Sequence, residues 1–407
     1  RTPAMVSTTV WRSILVVGML LTGSFNTLSK KVQNQCVSPG LDGTPEHFHK
    51  PWFQTMVMFV GEALVLLLWL YQRDTTPPPP KNAQDNEERV SLIHNEKTDQ
   101  QPQQEPAFSS RVPVPLLLAV PACLDLLGTT LAGIGLLYTS ASVWQMLRGS
   151  IVLFTGGLSV LVLKRKLHAF NWIGIGITVC GLTLVGASSL LSESGRSNSD
   201  HTWLGVWLIV AGQLCNATQM IYEEVMIKKA GLPPAQIVGF EGVWGLVIMS
   251  LIVLPSLQFI PGGDDGSYEN SLDALHQIAH NGLLMSMILV YMCSIAFYNF
   301  FGLAVAESLT SVHRTLIDGL RTTVVWSGGI LIYYAGNTDY GEKWQPTSFI
   351  QLIGFILLLL GTLVGMVVSR GEVCHVVLRG GVHVCGEAWR GLLYCGVWSV
   401  VWCSLCV

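Results

Sequence analysis

The stretch "SVWQMLRGSIVLFTGG" (142–157) decides the fold, because it sets one arginine, Arg148, inside a run otherwise suited to lipid. A charge at the bilayer centre costs roughly 2.5–3.5 kcal/mol on insertion scales. A compensating carboxylate, a watery cavity or an anionic ligand must therefore stand nearby. Downstream, "DGLRTTVVWSGG" (318–329) repeats the device. Gln145-x-Leu147-Arg148 matches Asp318-x-Leu320-Arg321, each followed by two small residues, an apolar trio and a Gly-Gly pair, with one residue skipped.

Other pairs extend the repeat in the same order. "DLLG" (125–128) matches "NFFG" (299–302), Glu62 matches Glu241, and "SKK" (29–31) matches "IKK" (227–229). The composition is that of a membrane protein, with 50% hydrophobic residues and 12% charged in 407. A spanning helix needs about 20 apolar residues. Such stretches run over 11–30, 53–71, 112–137, 139–163, 170–191, 203–226, 236–259, 282–305, 309–334 and 347–369. The expected fold is all-α and polytopic, with ten transmembrane helices in two inverted five-helix repeats. A unit of five helices re-enters the membrane upside down, the architecture of many secondary transporters.

The expected organisation is an N-terminal cytoplasmic tail (1–10), a first repeat (11–191), a linker (192–202), a second repeat (203–369) and an atypical tail (370–407). The four residues before Met5 read as untranslated or appended sequence. The tail, rich in Cys, Val, Gly and Trp, reads as translated noncoding sequence, with a short eleventh membrane-associated segment as the alternative. With the N-terminus placed in the cytosol, fifteen Lys and Arg fall on that side and five on the other. Both termini are therefore expected to be cytoplasmic. Loop 72–111, containing "PPPP" (77–80), is too polar to bury a core and is expected to be disordered. Within it "ERVSLI" (88–93) sets Glu88 four positions before Leu92-Ile93, the pattern of a dileucine sorting signal. The loop 260–281 is acidic, with no Lys or Arg.

Several stretches resemble solute carrier family 35, subfamily F, in the drug/metabolite transporter superfamily. They are "TGSFNTLSKK", "MFVGE", "TSASVWQMLRGSIVLFTGGLSVLVLKRKL", "GIGITVCGLTLVG" and "AFYNFFG". The resemblance covers about residues 11–369. It implies ten helices in two inverted repeats and transport across an endomembrane, often of a nucleotide sugar against a nucleoside monophosphate. It also implies an endosomal or lysosomal address, with mitochondrion or Golgi as alternatives.

Arg148 and Arg321 are the expected anion-binding pair, since guanidinium presents a planar fork to phosphate or carboxylate. Gln145, Glu62, Asp125, Asn299 and Asn26 are the other candidates for lining the substrate site. Asp318 shares a helix face with Arg314 and Arg321 and is expected to neutralise them. Glu62 and Asp125 are expected to balance charge or carry a coupling proton, whereas Glu241 sits near enough a helix end to reach the interface. Arg148 has no acid beside it in sequence, so its partner comes from another helix or from the substrate.

Glycines 149, 156, 157, 328 and 329 are expected to allow close helix packing. "HFH" (47–49), with Cys36 and Glu46 nearby, is a weak metal candidate that reads more simply as loop. No Walker loop, GxSxG elbow or HExxH motif occurs, so pumping by ATP and hydrolysis lack a motif. The reading is a secondary transporter of a small organic anion, with no enzyme activity, cofactor or resident metal. The alternative is a membrane scaffold acting through loop 72–111. Expected partners are the bilayer, the anion, sorting adaptors and a second copy of the chain, with no nucleic acid.

Overall fold

A computed structural model describes residues 8–75, 113–139, 141–165, 167, 169–192, 202–264, 266–335 and 343–368. The sorting motif at Glu88, Leu92 and Ile93, the bulk of loop 72–111 and of linker 192–202, and the tail 370–407 lie outside the described residues.

Helices cover all the expected apolar stretches. They are α1 (Thr8–Gln35), α2 (Pro51–Thr75), α3 (Val114–Leu117), α4 (Ala119–Tyr138), α5 (Ala141–Arg148), α6 (Ser150–Leu161), α7 (Ala169–Ser192) and α8 (Thr202–Ala230). Then follow α9 (Pro234–Ile248), α10 (Leu254–Phe259), α11 (Ser271–His280), α12 (Gly282–Ser308), α13 (Ser311–Tyr334) and α14 (Ser348–Val368). Seven of these stretches are both long and apolar enough to cross a membrane: Pro51–Tyr71, Val114–Leu136, Ala169–Ser188, Trp203–Ala230, Pro234–Phe259, Gly282–Ser308 and Ser348–Gly365. α1 and α13 carry more charge, and the α5–α6 stretch is interrupted.

The interruptions have local causes. Pro121 has no N–H for the carbonyl of Leu117, and the helix breaks at Leu118. Pro255 likewise leaves the carbonyl of Leu251 without its donor, and residues Met249–Val253 widen into a π turn. The expected span 139–163 breaks at Gly149, whose N–H turns back to Met146 O at 3.1 Å. A Cβ at Gly149 would stand 2.9 Å from Leu182 Cδ1, so α7 presses on the chain directly after Arg148. α8 closes at Gly231, which takes the left-handed φ of +66° that favours glycine.

Two expectations need correction. The chain is not purely helical: β1 (Val37–Pro39) pairs antiparallel with β2 (Pro45–His47), Val37 opposite His47, and β3 (Pro261–Asp264) follows α10. The acidic stretch 260–281 is not simply loop either. It forms α11, capped by Asn270, whose Oδ1 accepts from the N–H groups of Leu272 and Asp273. Strands and short helix share one end of the bundle, called here the hairpin face.

The bundle is inverted relative to a soluble protein. Leu67, Trp207 and Leu251 are 61–73% exposed, whereas Glu62, Glu223, Glu241, Arg314 and Arg321 are buried. Apolar groups facing outward around charged groups facing inward suit lipid as solvent. The most extensive helix contacts are α7 on α14, α4 on α8, α1 on α12 and α2 on α9. Glycine lets two of these pairs approach backbone to backbone. A Cβ at Gly181 would lie 2.7 Å from Gly354 O, and one at Gly135 would lie 2.8 Å from Gly205 O. Of the expected packing glycines, Gly149 and Gly156 meet α7, whereas Gly157 and Gly328 face open space.

Candidate functional site

Arg148, at the end of α5, and Arg321, on α13, converge on one carboxylate. Asp318 Oδ2 lies 3.6 Å from Arg148 Nη2, and Asp318 Oδ1 lies 3.3 Å from Arg321 Nε. Tyr298 of α12 donates its hydroxyl to Asp318 Oδ1 at 2.6 Å, and its ring carries the Arg321 guanidinium 5.0 Å from the centroid. Arg148 rests over Trp144 at 5.6 Å. The partner that sequence spacing could not supply for Arg148 is thus Asp318, from the other half of the chain.

The balance of this group is positive. Two guanidinium groups share one carboxylate. Arg321 is 7% exposed, but Arg148 is 39% exposed. One buried guanidinium anchors the carboxylate and one faces open space. Asn26 is buried on α1, one turn beyond Gly23, where a Cβ would meet Arg321 Cδ at 2.7 Å. Gln145 lies on α5 one turn before Arg148, and its side chain is outside the described residues.

The expectation that Asp318 neutralises both Arg314 and Arg321 holds only for Arg321. Arg314 pairs with Glu223 of α8 instead, Nη1 to Oε2 at 2.6 Å. α13 runs between both acids, and the shorter, buried contact is with Glu223. Glu241 does not reach the interface: it is 5% exposed and accepts from Gln219 Nε2 at 2.6 Å. That same amide donates to Glu223 Oε1 at 2.9 Å. Glu62 accepts a short hydrogen bond from Asn299 Nδ2. Asp125 faces Thr129 Oγ1 at 3.5 Å on its own helix.

Sequence reasoning missed Tyr298, Glu223, Gln219 and Glu224. Glu224 was accessible in "EEVMIKK" (223–229), where Glu224 and Lys228 stand one turn apart. Glu224 Oε1 meets Arg165 Nη2 at 2.6 Å and Lys228 Nζ at 2.8 Å, while Oε2 accepts from Ser311 N at 2.9 Å. This latch ties the segment after α6 to α8 and to the start of α13, at the end of the bundle away from the hairpin.

The hairpin face is also tied across the two halves. Lys50 Nζ reaches Asp264 at 2.5 Å and Asp273 at 2.6 Å. Glu269 caps α2, accepting from the N–H groups of Trp52 at 3.0 Å and Phe53 at 2.6 Å. Burial pushes the Glu269 carboxyl up to about 7, against the pull of those N–H groups and of Lys50. Asp273 is held below its ordinary value despite burial, by Lys50, the Leu41 N–H and Gln277. Among the described residues, Glu46, Asp264 and Asp273 bring donor atoms close enough for a metal, and the Lys50 ammonium already bridges two of them. "HFH" does not join that group. His47 and His49 are exposed with ring centroids 6.3 Å apart, and Phe48 between them is fully buried as an anchor.

An apolar exterior around a paired-charge interior, with seven helical stretches long and apolar enough to cross a membrane among the described residues, defines a multi-pass membrane protein. The chain is 35% identical to Solute carrier family 35 member F6 of Homo sapiens, over 84% of this chain and 85% of that protein. It belongs to solute carrier family 35. The CRT-like family (chloroquine-resistance transporter-like) matches residues 109–279, in keeping with the drug/metabolite transporter superfamily. CMP-sialic acid transporter 4 of Arabidopsis thaliana is 26% identical over 53% of this chain and 63% of that one. A solved crystal structure shares the fold at TM-score 0.55 and 13% identity, over 89% of this chain and 99% of that one. Solute carrier family 35 member F6 and CMP-sialic acid transporter 4 are named as transporters and not as enzymes.

Proposed function

We propose that the chain is a secondary-active transporter that moves a small organic anion, such as a nucleotide sugar or another phosphorylated metabolite, across an endomembrane by alternating access. The observation that carries this reading is the surplus positive charge where Arg148 and Arg321 share Asp318. An entering anion finds the exposed Arg148 fork free to turn from a carboxylate it meets only at 3.6 Å. Phosphate accepts such a fork through two parallel N–H donors. Gln145, Asn26 and Asn299 line the path in this reading.

The packing pattern supports ten spans in two inverted repeats. Numbered one to ten along the chain, the spans pair five with ten, three with six, one with eight and two with seven, while four packs on six and nine on one. A two-fold axis relating span n to span n + 5 turns three–six into eight–one and four–six into nine–one, and leaves five–ten and two–seven in place. The charge bias supports a topology with the Arg165 face and both termini in the cytosol and the hairpin face in the lumen. The dileucine pattern at Glu88, Leu92 and Ile93 favours a lysosomal membrane.

The test is counterflow into proteoliposomes over labelled nucleotide sugars, nucleotides and sugar phosphates, with CMP-sialic acid as the first probe. Arg148→Ala and Arg321→Ala are each expected to lower uptake about tenfold or more, the worth of a charge-assisted hydrogen bond. Wild-type uptake in both variants, or transport of no anion in the series, overturns the reading.

A further inference from the structure

The interior holds a second charged group that the two arginines do not use. Glu62 on α2, Asp125 on α4, Glu223 on α8 and Glu241 on α9 act on one another electrostatically, with Arg314 of α13 among them. Arg314 is committed to Glu223. Among the described residues the other three carboxyls have no cation in contact. If all four were ionised, three negative charges would stand uncompensated at membrane depth, each at a cost of about 2.5–3.5 kcal/mol on insertion scales. Uptake of protons removes that cost.

Glu62 stands in the middle of α2. It is 2% exposed, and while one oxygen accepts from Asn299, Oε2 is buried with no hydrogen-bond partner. The helices packed on α2 present Glu241 from α9 and Asn299 and Tyr291 from α12. From farther across the interior come Asp125, Glu223 and Arg314. Gln219 bridges Glu241 to Glu223, and Glu223 holds Arg314. Arg314 lies one turn from Asp318 on α13, so one helix carries both the acidic group and the anion group.

We propose that this group is a proton-binding site, with Glu62 and Glu241 as the exchanging carboxyls, and that α13 couples its occupancy to the anion at Arg148 and Arg321. The coupling rests on the anion-transport reading, whereas the proton site does not. A proton that moves with the anion offsets one of its negative charges. A metal ion fits less well. Among the described residues, the set of three donors within 4.8 Å of one another is Glu46, Asp264 and Asp273, so no three intramembrane carboxyls converge on one ion.

The test uses the full chain in phosphatidylcholine liposomes and infrared difference spectra between pH 5 and pH 8, with no substrate present. The wild type is expected to show a protonated-carboxyl C=O band that grows in acid. Glu62→Gln and Glu241→Gln are each expected to remove part of it. Asn299→Ala, which keeps every carboxyl, is expected to shift the band as the hydrogen bond to Glu62 is lost. Spectra of all three variants that superimpose on the wild type overturn the proton site. So does a band that sodium ions abolish at fixed pH, which assigns the site to sodium. For the coupling, a pH dye sealed in the liposomes is expected to report acidification as external CMP-sialic acid enters. Uptake without acidification overturns the coupling. Absence of uptake counts against the anion reading, and the infrared result still decides the proton site.

Discussion

Asp318 is shared by Arg321, its neighbour one turn along α13, and by Arg148, which reaches it from the other half of the chain with Nη2 at 3.6 Å from Oδ2. The two contacts are not equivalent. Arg321 is almost fully buried and held over the Tyr298 ring, whereas Arg148 is two-fifths exposed.

That inequality predicts unequal stability effects. Asp318→Asn strands a buried guanidinium and is expected to destabilise by about 3–5 kcal/mol. Arg148→Gln leaves Asp318 paired with Arg321 and is expected to change stability by under about 1 kcal/mol. Thermal melts of purified protein in detergent read both, and equal losses would contradict the arrangement.

Tyr298→Phe removes the 2.6 Å hydrogen bond to Asp318 and keeps the ring beneath Arg321. A loss of about 1–2 kcal/mol is expected, and Tyr298→Leu should lose more because the cation–π contact also goes. The comparison separates hydroxyl from ring.

Glu269 predicts a pH dependence with a defined sign. Its folded carboxyl keeps a proton up to about 7, while an unfolded glutamate releases it near 4.5. The folded chain therefore binds the extra proton between those values, and stability falls as pH rises through that window. The change is of order 3 kcal/mol. Asp273, lowered from its ordinary value, loses its stabilising charge only in stronger acid and does not mask the effect. Melts from pH 5 to 8 should slope downward for the wild type and less steeply in Glu269→Gln, the intramembrane carboxyls supplying the remaining slope.

The Glu224 latch predicts a local change in exchange. Ser311 N–H, at the first turn of α13, donates to Glu224 Oε2 while Oε1 holds Arg165 and Lys228. Glu224→Gln is expected to weaken both ion pairs and speed amide hydrogen exchange at the start of α13, with α14 unaffected. Unchanged exchange there would show that the latch does not hold this end closed.

Glycine positions supply an internal control. Gly181→Ala places a methyl group 2.7 Å from Gly354 O, which is backbone and cannot swing aside, so α7 and α14 must separate. A loss of about 1–3 kcal/mol is expected. Gly176→Ala on the same helix meets nothing within 4 Å and is expected to be neutral or slightly stabilising.

The duplicated arginine motif, the apolar stretches and the family were legible in the sequence because they depend on residue type and local spacing. Periodicity locates helices, and a charge in a lipid-suited run announces that something must face it. Tertiary structure decided what faces it. Asp318 lies 170 positions from Arg148, and only the packing of α5 and α13 on the same two helices, α7 and α8, brings them together. Arg314 shows the same limit. Spacing on its own helix favoured Asp318, yet Glu223 from α8 is nearer, and a buried charge settles on the partner that leaves least of it exposed to lipid. Glu241 read as interfacial because sequence position measures distance from a helix end, whereas burial depends on which helices cover it. The sequence by itself determined that charges must be compensated inside a lipid-facing bundle. Which carboxylate serves which arginine was decided only by the fold, because compensation at membrane depth acts through space over a few ångströms and not along the chain.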